Sequence, residues 1–86
     1  LTLHPIVDGK AEALEFLAGP ETRHQGEMLK NIPLKEGILV SCITHKARTI
    51  IPKGDSSFVS GDTVIVVTAG GRTINDLNDI FADRAG

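Results

Sequence analysis

The chain has 86 residues, 41% of them hydrophobic and 23% charged, an ordinary globular mixture that argues against disorder. Nine basic against eleven acidic side chains give a net charge of −2, which removes the basic footprint of a nucleic-acid or anionic-membrane binder. The longest apolar run, Val64 to Val67, falls far short of the roughly 20 residues of a membrane-spanning helix, so no direct membrane insertion is expected.

Three Phe with no Trp or Tyr leave the core to aliphatic side chains. The single cysteine, Cys42, cannot close an internal disulfide and fits a reducing compartment. No signal peptide is visible, and a start at Leu1 rather than Met reads as a fragment of a longer protein.

Residues 1–8 read as a lead-in from a preceding domain, with Pro5 lacking a backbone donor and Asp8-Gly9 as a turn; a single domain is expected over 9–86. The segment from Ala11 to Gly19 is ambiguous. Ala, Glu and Leu favour a helix, while the alternation of Leu14, Phe16 and Ala18 suits a strand. Glu21 to Gln25 is a polar loop. GEMLKNI, residues 26–32, predicts a short helix with Met28, Leu29 and Ile32 on its apolar stripe, stopped by Pro33.

Residues 37–45 are rich in β-branched side chains and predict a strand. Lys46-Ala47 is then a two-residue turn without the usual Asn-Gly, and residues 47–52 the return strand, closed by Pro52. Residues 62–69 form a near-continuous apolar strand, expected to be covered on both faces. Gly70-Gly71 breaks it. A last helix is expected from Thr73, capped by Thr73 with Asp76, and burying Ile74, Leu77, Ile80 and Phe81. The fold class is α+β: a small, mostly antiparallel sheet with flanking short helices.

The chemistry is sparse. His4, His24 and His45 have no partners at metal spacing, and Cys42 and His45, three apart in a strand, point to opposite faces, so no metal site is expected. Cys42, mid-strand without a nearby base, is expected to pack in the core rather than act as a nucleophile. Asp76, Asp79 and Asp83 read as a solvated helix face. Gly70-Gly71-Arg72-Thr73 reads as a connector rather than an anion cradle. Lys46, Arg48 and Lys53 cluster at the hairpin, where charges protect a sheet edge or meet a phosphate or carboxylate. No acid, base and nucleophile converge, so the chain is not expected to be an enzyme; a role in assembly or ligand sensing is.

Residues 38–67 resemble the C-terminal domain of TrkA-type proteins, also called the RCK C-terminal domain. The features that carry the resemblance are Ile50-Ile51-Pro52, Gly54-Asp55, and Gly61-Asp62 opening the aliphatic run from Thr63 to Val67. Residues 9–19 look like that family's first strand and residues 26–34 like its first helix, so the resemblance resolves the ambiguous segment as a strand.

Such domains are cytoplasmic regulatory parts of potassium-transport proteins, peripheral at the inner face of the membrane through a partner. The resemblance implies a homodimer that gates a membrane potassium-transport subunit, with no nucleic-acid partner. NAD(H) or ATP would bind in a neighbouring domain; this fragment, without a GxGxxG, holds no such cofactor. In one branch of the family two copies bind cyclic di-AMP across their interface. The residues used there resemble Asn31-Ile32 and Ile50-Ile51-Pro52, and Arg48 joins them as a candidate ligand residue. The chain departs from that branch at Pro33-Leu34 and at Gly19-Pro20-Glu21. The alternatives left open are a cyclic di-AMP sensor domain and a pure dimerisation module without a small-molecule site.

Overall fold

The structure, a computed structural model, describes the backbone of residues 2–7 and all of residues 11–69 and 71–83. Five antiparallel strands form one sheet: β1 (Thr2–Val7), β2 (Ala11–Leu17), β3 (Ile38–His45), β4 (Arg48–Ile50) and β5 (Thr63–Ala69), in the order β1-β2-β5-β3-β4. The most aliphatic strand, β5, lies at the centre, where it gains two hydrogen-bonded neighbours.

Strand β2 forms against its helix propensity because tertiary pairing outweighs tenths of a kcal/mol per residue. It is in register with β5 from Ala11↔Ala69 to Leu17↔Thr63, and it buries Leu14 and Phe16 on one face. Residues 2–7, read as lead-in, form strand β1 of the same sheet. Pro5 is tolerated there because β1 is an edge. The Asp8-Gly9 turn and Gly70 lie outside the described residues.

The hairpin forms as expected, with Lys46 and Ala47 at φ of 48° and 66°, both in the left-handed region that a two-residue turn of this type requires. The return strand is shorter than the sequence suggests. It ends at Ile50, leaving Ile51 and Pro52 outside.

The structure replaces both expected helices with single 3-10 turns, at Leu29–Asn31 and Leu77–Ile80. In the first, Gly26 at φ 77° and Pro33 leave too few residues to offset the cost of nucleating a helix. The donors a helix would use go elsewhere: Leu29 N–H to the Ser56 carbonyl and Lys30 N–H to that of Gly54, both at 2.9 Å. The last segment is stitched to residues 33–35 instead, through Ala82 N–H to Pro33 O and Lys35 N–H to Ile80 O, both at 2.9 Å. Its cap shifts by three residues from Thr73, so that Asp79 Oδ2 accepts the N–H groups of Asn75 and Asp76 at 3.1 Å. Ile74, Leu77, Ile80 and Phe81 are nonetheless all buried, since the apolar residues find the core without the helix.

These segments pack on one face of the sheet, around Val64, Val66, Ile43, Phe58 and Phe81. Strand β5 is therefore not covered on both sides. Val64, Val66 and Thr68 are buried, while Ile65 and Val67 on the opposite face are half-buried beside exposed Leu17 and Leu39. Among the described residues no helix is long and apolar enough to cross a membrane.

Candidate functional site at the hairpin cleft

The β3–β4 register sets Ile43 opposite Ile50 and His45 opposite Arg48. Residues directly opposite share a face of the sheet, so these two pairs stand side by side on the core face. On the other flank of β3, Thr44 pairs with Thr63, which brings Asp62, one residue before it, alongside His45. Arg48, His45 and Asp62 thus form a row across three chain segments at the turn end of the sheet.

The row is anchored at Asp62, which is only 3% exposed. Its Oδ1 lies 2.5 Å from His45 Nδ1, and its Oδ2 accepts the Val59 N–H at 3.0 Å. Its backbone is held as well, since the Ala18 N–H donates to the Asp62 carbonyl at 2.8 Å. A carboxylate only accepts, so the imidazole must carry a proton on Nδ1, and Nε2 is the nitrogen left for another partner. Gly61, at φ 94°, makes the turn that delivers Asp62 to this position.

Ser57 and Val59 close the far wall, and the resulting cleft of about 470 Å³ is lined by Ile43, His45, Arg48, Ile50, Ser57, Val59 and Asp62. That volume lies within the range of small-molecule sites, roughly 300–1,000 Å³. The walls combine a guanidinium, an imidazole and a hydroxyl with three aliphatic side chains.

Of the six candidate ligand residues, Arg48 and Ile50 line the cleft and the other four do not. Asn31 is exposed on the first 3-10 turn, Ile32 is in the core, Ile51 is 82% exposed beyond the end of β4, and Pro52 is half-buried after it. His45 and Asp62 were not legible as a pair. They are 17 residues apart; the Gly61-Asp62 turn signal marked one of them, and His45 was weighed only as a metal ligand.

The remaining constellations resolve into structural roles. Asp83 is paired with the Arg23 guanidinium, and His24 lies between Glu27 Oε2, 2.9 Å from Nδ1, and Asp83 Oδ2, 3.0 Å from Nε2. Asp83 and Asp79 therefore do not simply face solvent as the sequence suggested. Partial desolvation pulls the Asp83 carboxyl upward, but the hydrogen bonds and charges of Arg23 and His24 outweigh it and hold the group below its ordinary value. Arg72 lines a second depression of about 400 Å³ in which Glu36 offers the opposite charge. Cys42, expected in the core, is instead half-buried, because the β3 register pairs it with Ile65 on the sheet face away from the core. Among the described residues no group of three His, Cys, Asp or Glu side chains gathers to hold a metal.

No protein-family model matches the chain. Curated proteins of Methanosarcina mazei do. Trk system potassium uptake protein TrkA homolog 2 is 32% identical over 76 residues, covering 88% of this chain and 17% of that protein. TrkA homolog 1 is 32% identical over 65 residues, 76% of this chain and 14% of its own length. A further protein named trkA homolog 1 is 27% identical over 79 residues, 92% of this chain and 19% of its own length. The chain therefore spans less than a fifth of the curated relatives it matches.

Proposed function

We propose that this chain, a TrkA-type domain by its similarity to those relatives, is the cytoplasmic regulatory domain of a Trk-type potassium uptake system. It dimerises and senses a ligand so as to gate a membrane potassium-transport partner, and it carries out no chemistry of its own. The observation that carries this reading is the similarity to a Trk system protein over 88% of the chain.

Two structural features support the finer parts. The sheet face that bears Leu17, Leu39, Ile65 and Val67 has one acid, Glu15, near its middle and is otherwise uncharged along β2, β3 and β5. A near-neutral apolar face of this kind suits a second copy of itself, packed about a two-fold axis. The hairpin cleft supplies a place for a ligand. A ligand that binds one dimer arrangement better shifts the population toward it, with coupling of about 1–3 kcal/mol. NAD(H) or ATP binding belongs to a neighbouring domain, and cyclic di-AMP is the first ligand to test here.

Light scattering and thermal unfolding with cyclic di-AMP, ATP, ADP, NAD and NADH test the reading together. A dimer is expected, stabilised by one member of the panel. At a hundred times its dissociation constant a ligand adds about 2.7 kcal/mol, and each kcal/mol moves the midpoint of a small domain by about 4–8 °C. A dimer that no ligand stabilises would be a dimerisation module. A monomer indifferent to the panel would overturn the proposal.

A further inference from the structure

We propose that the hairpin cleft binds a small organic anion, with its phosphate or carboxylate group held between Arg48 and His45 and its apolar body on Ile43, Ile50 and Val59. This deepens the ligand-sensing reading and rests on it only for the regulatory consequence.

The sign of the ligand follows from which charges are already committed. Among the described residues Asp62 is the one acid of the cleft, and both its oxygens are engaged, by His45 and by the Val59 N–H. Arg48 has no ion pair among the described residues. An unpaired guanidinium on a concave wall suits a carboxylate or phosphate, whose two oxygens match its fork of donors. His45 joins it as the imidazolium, which donates from Nε2 while its Nδ1–H is given to Asp62; the neutral ring with its proton on Nδ1 has only a lone pair at Nε2. Asp62 also fixes the ring orientation, so part of the site is built before any ligand arrives.

The rest of the ligand is set by the other walls. Ile50 and Val59 are 37% and 38% exposed, and with Ile43 beneath them they leave aliphatic surface open to water inside the cleft. A bare inorganic anion would leave that surface wet. An apolar molecule without charge would leave Arg48 unpaired. A molecule with both parts satisfies both ends, and about 470 Å³ accommodates one of modest size.

The test is a two-dimensional NMR titration of the 86-residue chain with phenyl phosphate, benzoate, inorganic phosphate and benzyl alcohol. Phenyl phosphate or benzoate should shift the amides of His45, Arg48 and Val59 saturably, and which is tighter separates phosphate from carboxylate recognition. Inorganic phosphate and benzyl alcohol should each bind at least about tenfold more weakly, the loss expected for removing one charge-assisted contact or the apolar half.

Arg48 is exposed, so Arg48→Gln should keep the native spectrum while weakening the organic anion at least about tenfold. Val59→Asp, which places a carboxylate at the apolar end, should abolish binding. No saturable shift with either organic anion, unchanged binding in Arg48→Gln, or shifts confined to Leu39 and Ile65 on the opposite face would overturn the proposal. Those failures would leave the dimer and the nucleotide panel as they stand, whereas a monomer indifferent to that panel would undo the regulatory reading and leave these titrations intact.

Discussion

His24 and Asp83 stand 59 residues apart in sequence, yet the ring Nε2 lies 3.0 Å from the carboxylate Oδ2. With Arg23 on the same carboxylate, this contact ties the loop after β2 to the last turn of the domain. Both side chains also lie against Phe81, the imidazole edge-on at 4.6 Å and the guanidinium 5.7 Å above the ring. A polar clasp therefore sits over an apolar anchor.

The clasp predicts a pH dependence with a definite sign. Asp83 is held below its ordinary 3.8 when folded, so its contribution is fully present above that value and is lost as pH falls through the lower folded value. Melts taken from about pH 6 down to about pH 2 should show wild type converging on Asp83→Asn. Parallel curves throughout would mean that the contact contributes nothing to folding.

The hairpin turn offers a stabilising substitution. A non-glycine residue in the left-handed region costs roughly 1–2 kcal/mol, and Ala47 sits there at φ 66°. Part of that gain is offset by the extra freedom of glycine in the unfolded chain. Ala47→Gly should therefore raise stability by about 1 kcal/mol, or about 4–8 °C in Tm. A lower Tm would show that the turn is not held in this conformation.

Phe81 is completely buried and stacks at 6.5 Å on Phe58. Phe81→Ala should cost about 3–5 kcal/mol, a large share of a small domain's stability. Ile51→Ala, at a site 82% exposed, should stay within about 0.5 kcal/mol. Chemical denaturation of both variants checks the contrast, and equal losses would contradict the burial pattern.

Leu39 is 61% exposed on the sheet face opposite the core. Leu39→Asp places a charge where the proposed dimer would bury an apolar side chain, so light scattering should find a monomer whose Tm resembles that of wild type at low concentration. A variant that remains dimeric would move the interface elsewhere.

Much of this architecture was legible along the chain. The β-branched runs of β3 and β5 declare themselves by short-range chemistry. So do the Gly61-Asp62 turn and the apolar identity of Ile74, Leu77, Ile80 and Phe81. Strand β2 was legible only through its resemblance to known domains, because its composition favours a helix and its pairing partner lies about fifty residues away.

What the local pattern could not supply was the form of the covering segments and the assembly of the cleft. Periodicity reported that Leu77, Ile80 and Phe81 would be buried, but the hydrogen bonds to Pro33 and Lys35, across more than forty residues, decided that they would be buried without a helix. Arg48 stood out as a charge. Its place in a row with His45 and Asp62 came from two strand registers meeting on β3. Sequence alone thus determined which residues are apolar, which turn and which prefer a strand, since these are properties of each side chain and its neighbours. Tertiary structure alone decided which face of β5 stays open and which charges share a cleft, because both depend on pairings between distant segments, and those are selected only when the whole core closes at once.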